Sequence, residues 1–128
     1  MIRLAQLFLV TLMVGMLVPA FAFDTTGFTK VLQTAVNADE YLFSLMEPGM
    51  PKNSPEFQAA LAAQKTARSA IAQEINALNT QEALEQALVI AKSFSAQSGA
   101  AREIGRLAQS LISGQLRFVG LHEVKAGH

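Results

Sequence analysis

The stretch that decides the fold is Ser54–Leu78, SPEFQAALAAQKTARSAIAQEINAL. Ser54 is placed to cap a helix by accepting from its free N–H groups, and Pro55 follows at the first helical position, where a missing N–H costs nothing. Phe57, Leu61, Ile71, Ile75 and Leu78 recur at heptad-like spacing, and Gln64 and Arg68 fall where that seam would otherwise be apolar. The alanines between them supply helix propensity in place of bulk. A helix of this kind buries little area per residue, so it needs neighbours that approach closely. The expected helix spans 55–78.

Upstream, Asp24, Thr25 and Thr26 can cap a helix over 25–46. Its stripe is Phe28, Leu32, Ala35, Leu42 and Met46, widened by Val31, Val36, Phe43 and Leu45. Asp39 interrupts it, as an acid at the stripe's edge or one bonded to a neighbouring polar group. Pro48, Gly49 and Pro51 end the run. Downstream, Thr80 caps a third helix, 81–97, with Leu84, Leu88, Ala91 and Phe94 or Ser95 buried. Val89 and Ile90 broaden that stripe enough to expect cover on two sides. Ser98-Gly99 reads either as a turn or as a soft point in one long helix. The fourth helix, 100–119, shows its apolar face at Ile104, Leu107, Ala108, Leu111 and Ile112. Gly105, with Ala101 and Ala108 near it, marks an expected close helix–helix contact. Leu116–Val119 can extend this helix or form a short strand. No segment has the alternation of a strand beside a tight hairpin turn. The expected class is all-α, an elongated antiparallel bundle of three to four helices in a single domain over 23–128.

That domain is expected to follow a cleaved signal peptide, residues 1–22. Arg3 gives a basic start, Leu4–Val18 is almost wholly apolar, and Pro19 breaks the run before Ala20-Phe21-Ala22. Signal peptidase takes small residues at the first and third positions before the cut, which places cleavage between Ala22 and Phe23. The apolar run is shorter than the roughly 20 residues that span a bilayer, so no stable membrane span is expected after cleavage. No twin-Arg pair is present, which favours the general secretory route, and a bacterial periplasm or cell surface is the expected destination.

Composition narrows the chemistry. The chain has 10 basic and 10 acidic residues, a balance that does not suit a nucleic-acid or anionic-membrane surface. Cysteine is absent, which removes thiol catalysis, thiolate zinc sites and disulfide bracing. His122-Glu123 begins like a zinc-binding H-E-x-x-H, but Ala126 stands where the second histidine would be, and His128 is too far round a helix. Glu82 and Glu85 are expected on a solvated face. No serine has a nucleophile context and no glycines form a phosphate loop. The reading is therefore a protein without enzymatic activity or cofactor, acting through contacts with other proteins, with homo-oligomer formation among the options. A periplasmic client-binding or chaperone-like module and a small inhibitor protein are the alternatives.

Two patches resemble a known family. Phe23-Asp24-Thr25-Thr26-Gly27-Phe28-Thr29-Lys30-Val31-Leu32-Gln33-Thr34-Ala35 is similar to the start of mature minor pilins, the pilus-tip components of VirB- and Trb-type type IV secretion and conjugal-transfer systems. Ala96–Ala101, Leu107–Leu111 and Gln115-Leu116 resemble their Gln- and Ala-rich C-terminal helix. Thr25 stands where those proteins usually have Pro. The resemblance implies a helical bundle, export, partners within an envelope or secretion assembly, and a role in pilus assembly or recipient-cell contact.

Overall fold

The structure, a computed structural model, describes residues 23–126 and side chains as far as residue 120. Four α-helices, α1 (Thr25–Met46), α2 (Pro55–Asn76), α3 (Gln81–Ser95) and α4 (Ala100–Ala126), make an all-α bundle with no strand among the described residues. The expected signal segment, with Ala20 and Ala22, lies outside the described residues.

Side-chain oxygens cap three helices as their sequences suggest. Asp24 Oδ1 accepts from Gly27 N at 2.9 Å, Ser54 Oγ from Phe57 N at 3.2 Å and Thr80 Oγ1 from Ala83 N at 3.2 Å. Each satisfies a donor that the first turn cannot pair internally.

Three helix ends differ from expectation. α2 stops at Asn76 rather than 78: the Ala77 N–H still reaches Gln73 O four residues back, but the Leu78 N–H reaches Ile75 O only three back, tightening the chain out of α geometry. α3 stops at Ser95 rather than 97 for the same reason: the Ala96 N–H reaches Lys92 O four residues back, and the Gln97 N–H reaches Phe94 O three back. Ser98-Gly99 is a turn, with Gly99 at φ 68°, a left-handed backbone that suits glycine. α4 runs past 119 to Ala126 because Leu116, half-buried, and Val119, buried, continue the stripe of Ile104, Ala108 and Ile112. The segment 116–119 is thus helix, not strand.

The helices pair as two hairpins, α1 with α2 and α3 with α4, and α4 also packs against α1 and α2. Phe28, Leu32, Ile71, Ile75, Leu84, Ile104 and Ile112 are the large fully buried apolar side chains, and Ala35, Ala87, Ala91 and Ala108 let the backbones close around them. A second, smaller cluster of Leu42, Leu45, Phe57 and Ala60 lies toward the α1–α2 loop, with Met50 and Leu61 against it.

Two expected core faces are narrower than their sequences suggest. Val89 is 69% exposed, so α3 is covered on one side only. Phe43 and Met46, expected within the α1 stripe, are 45% and 48% exposed. They project from the last turns of α1 on the side that its neighbours leave open.

Candidate functional site

Asp39 is 1% exposed in the middle of α1 and is the charged side chain in the described core. It is not orphaned. Gln64 Nε2 donates to Oδ1 at 3.0 Å, and Arg68 Nη2 donates to Oδ2 at 2.8 Å in an ion pair. Gln64 and Arg68 are the two residues that break the apolar seam of α2, so the interruptions on the facing helices meet each other. Burying either charge alone would be costly; paired and hydrogen-bonded, they become tolerable. The layer is imperfect, because Arg68 Nε is buried without a hydrogen-bond partner. Both carboxylate oxygens are engaged across the seam, so Asp39 ties α1 to α2 at this level.

This polar layer separates the two apolar clusters. Val36 and Ala67 belong to the main core on one side of it, and Leu42 and Ala60 to the smaller cluster on the other. Beyond it, the end of the α1–α2 hairpin is held by few side chains and by Tyr41, whose hydroxyl donates to Glu56 Oε2 at 2.6 Å. That bond to a carboxylate favours the protonated phenol and raises the Tyr41 pKa above its ordinary 10.0, with smaller contributions from partial desolvation and from the Glu56 charge.

At this end of the molecule an open groove of about 620 Å³ lies between the last turns of α1 and the α3–α4 turn. Glu40, Phe43, Ser44, Met46 and Glu47 line one wall, and Gly99 and Ala100 the other. The last turn of α1 has no basic side chain. The helix dipole also places partial negative charge there, so the groove is apolar at its centre and acidic at its rim. Small-molecule sites are usually enclosed and bury most of their ligand; this groove is shallow and open to solvent, with the half-exposed Phe43 and Met46 in its wall.

The remaining expected positions are packing residues. Ala101 and Ala108 are buried between α4 and its neighbours. At Gly105 a side-chain carbon would lie 2.3 Å from Ser95 N and 2.7 Å from Ala91 O, so α3 and α4 make backbone contact there. Gln109 Nε2 donates to Ser95 Oγ at 2.6 Å beside this contact, and Gln115 Nε2 donates to Leu78 O at 2.9 Å, tying α4 to the α2–α3 loop. Phe23 is half-buried, with its ring 5.6 Å from that of Phe28. Glu82 and Glu85 are exposed, and Gln81 donates to Glu85. Among the described residues no group of His, Asp or Glu is arranged to hold a metal, and no helix is long and apolar enough to cross a membrane. The side chains of His122 and His128 lie outside the described residues.

The sequence reading missed the groove. Its signal was present, since Glu40, Phe43 and Glu47 share one side of a helix, but Phe43 and Met46 read as core when counted by period alone. Comparison with protein-family models, curated proteins and solved structures returns no match.

Proposed function

We propose that this chain is an exported, non-enzymatic helical protein that acts through protein–protein contacts in a bacterial envelope or secretion assembly. The observation that carries this reading is the groove itself. Phe43 and Met46 stay nearly half exposed on a small bundle that buries its other large side chains of the α1 stripe. Leaving these two side chains about half exposed forgoes burial worth on the order of 1 kcal/mol each, which a binding surface recovers when it is occupied. Among the described residues the buried acid, Asp39, is committed to Gln64 and Arg68 across the α1–α2 seam.

In its specific form, resting on the resemblance of 23–35 and 96–116 to minor pilins, the assembly is a type IV secretion or conjugation apparatus. The same exposed pair also favours a second reading, a periplasmic module that shields apolar segments of a client.

One experiment separates the two. The gene is deleted in its native bacterium and restored in trans as wild type or as Phe43→Ser/Met46→Ser, while conjugation or effector delivery is counted and sheared surface filaments are probed. The expected result is loss of transfer, rescue by wild type but not by the double variant, and protein in the filament fraction. Unchanged transfer, with the protein confined to the soluble periplasm, would overturn the secretion form and leave client binding in its place.

A further inference from the structure

Resting on the contact reading above, we infer that the partner of the groove is a second copy of this chain, which presents the outward face of its α4.

The groove has an acid–apolar–acid order. Glu40 and Glu47 are both exposed, with Phe43 between them. They stand seven residues apart on one side of α1, roughly 10 Å along its axis. Neither forms an ion pair with another described residue. The outward face of α4 has the matching order, base–small–base. Arg102, Arg106 and Arg117 are all exposed on the side opposite the buried Ile104, Ala108 and Ile112, and exposed Ser110 and Ser113 lie between Arg106 and Arg117. Arg102 is partly used, its Nε donating to Gln97 O at 2.9 Å. Arg106 and Arg117 have no carboxylate partner among the described residues, and Glu103 is the only acid on α4 as far as residue 120.

Arg106 and Arg117 are eleven residues apart, roughly 16 Å along the helix. Their long side chains can close inward onto carboxylates spaced about 10 Å apart. Phe43 would then sit over the two serines, where nothing bulky stands in its way. Arginine stems would cover the ring and its guanidinium groups could lie against the ring face.

The same molecule cannot make this contact with itself. Ala100 already lines the groove, and Arg117 is seventeen residues further along α4, roughly 25 Å away. A second chain is required. Groove and stripe are different patches, so the contact is head to tail and leaves an open groove at one end and an open stripe at the other. The formal net charge is zero for the whole chain and about −1 without residues 1–22, which include Arg3, so copies repel one another little at long range.

The test is sedimentation velocity on the full-length gene product, purified as the host leaves it, at low and high salt. Wild type is expected to associate at low salt and to dissociate as salt rises. Glu40→Lys/Glu47→Lys and Arg106→Glu/Arg117→Glu should each weaken self-association at least tenfold at low salt, with helical circular dichroism unchanged. Mixed one to one, the two variants should associate again, because the first keeps an intact stripe and the second an intact groove. A wild type that stays monomeric at low salt and high concentration overturns the inference, as do charge variants that associate like wild type or a mixture that stays monomeric. Gene-dependent transfer in the host would survive any of those results, so the second-copy inference and the broader contact reading fail separately.

Discussion

Tyr41 is the only tyrosine in the chain, so one side chain reports on the bond to Glu56 without interference. Its folded pKa is raised above the ordinary 10.0, with the Glu56 hydrogen bond as the largest cause. A group bound more tightly to its proton in the folded state contributes stability that is fully present below the unfolded pKa. That contribution is lost as pH rises through the folded value. Ultraviolet titration should therefore place the tyrosinate midpoint above 10, and Glu56→Gln should bring it back toward the ordinary value; a midpoint unmoved by Glu56→Gln would break the assignment. Tyr41 is too exposed for this bond to matter much to overall stability. Gly105 is the opposite case, a residue whose effect is wholly steric. Gly105→Ala gains helix propensity of up to about 1 kcal/mol, but its new carbon would collide with the α3 backbone at Ser95. We expect a net loss of roughly 1–3 kcal/mol by urea denaturation. Gly114→Ala meets nothing within 4 Å and should gain up to about 1 kcal/mol on the same helix. The sequence marks Gly105 as a place where something comes close, since Ala101 and Ala108 flank it. It does not say that the neighbour is the backbone of Ala91 and Ser95, because that depends on where α3 lies after the turn at Gly99.

At the scale of elements, the α1–α2 hairpin is two regions divided by the Asp39 layer. Toward α4 it shares the main core through Leu32, Val36, Ile71 and Ile75; toward its loop it depends on Leu42, Leu45, Phe57 and Ala60. A region with few buried apolar contacts opens at lower free energy than the whole molecule does. Amide exchange should therefore be faster at 42–45 and 57–61 than at 32–36 and 71–75. Phe57→Ala, which removes the largest side chain of the small cluster, should speed exchange at the hairpin end by at least tenfold and leave 71–75 close to wild type. Equal acceleration throughout would mean that the molecule unfolds as one unit. The hairpin end carries the groove, so its local freedom bears directly on binding. Element positions were legible from caps and spacing, as Asp24, Ser54 and Thr80 show. The lost final residues of α2 and α3 were not, because tightening of a last turn is decided by which carbonyl each N–H meets.

For the molecule as a whole, the polar layer is the feature that specifies how α1 and α2 align. Sliding one helix past the other would separate Asp39 from Gln64 and Arg68 and leave a charge in the core. Asp39→Ala should cost about 2 kcal/mol, less than the 3–5 kcal/mol of a wholly buried pair because Arg68 is 38% exposed. Asp39→Leu/Gln64→Leu/Arg68→Leu should recover stability to within about 1 kcal/mol of wild type, as apolar replacement of buried ion pairs often does. Urea denaturation measures both, and a triple variant as unstable as Asp39→Ala would show that the layer contributes more than pairing. By itself the sequence determined that this is a cysteine-free, all-helical chain, because helix periodicity, caps and breakers act over a few residues and need no knowledge of the rest. It also marked Asp39, Gln64 and Arg68 as misfits in two apolar stripes. Only the tertiary structure decided that these misfits answer one another, that Val89 lies uncovered, and that Phe43 and Met46 form an acidic-rimmed groove instead of core. The reason is physical: a helix stripe states which side chains can be buried, and whether they are buried depends on how much of that stripe a neighbouring helix reaches.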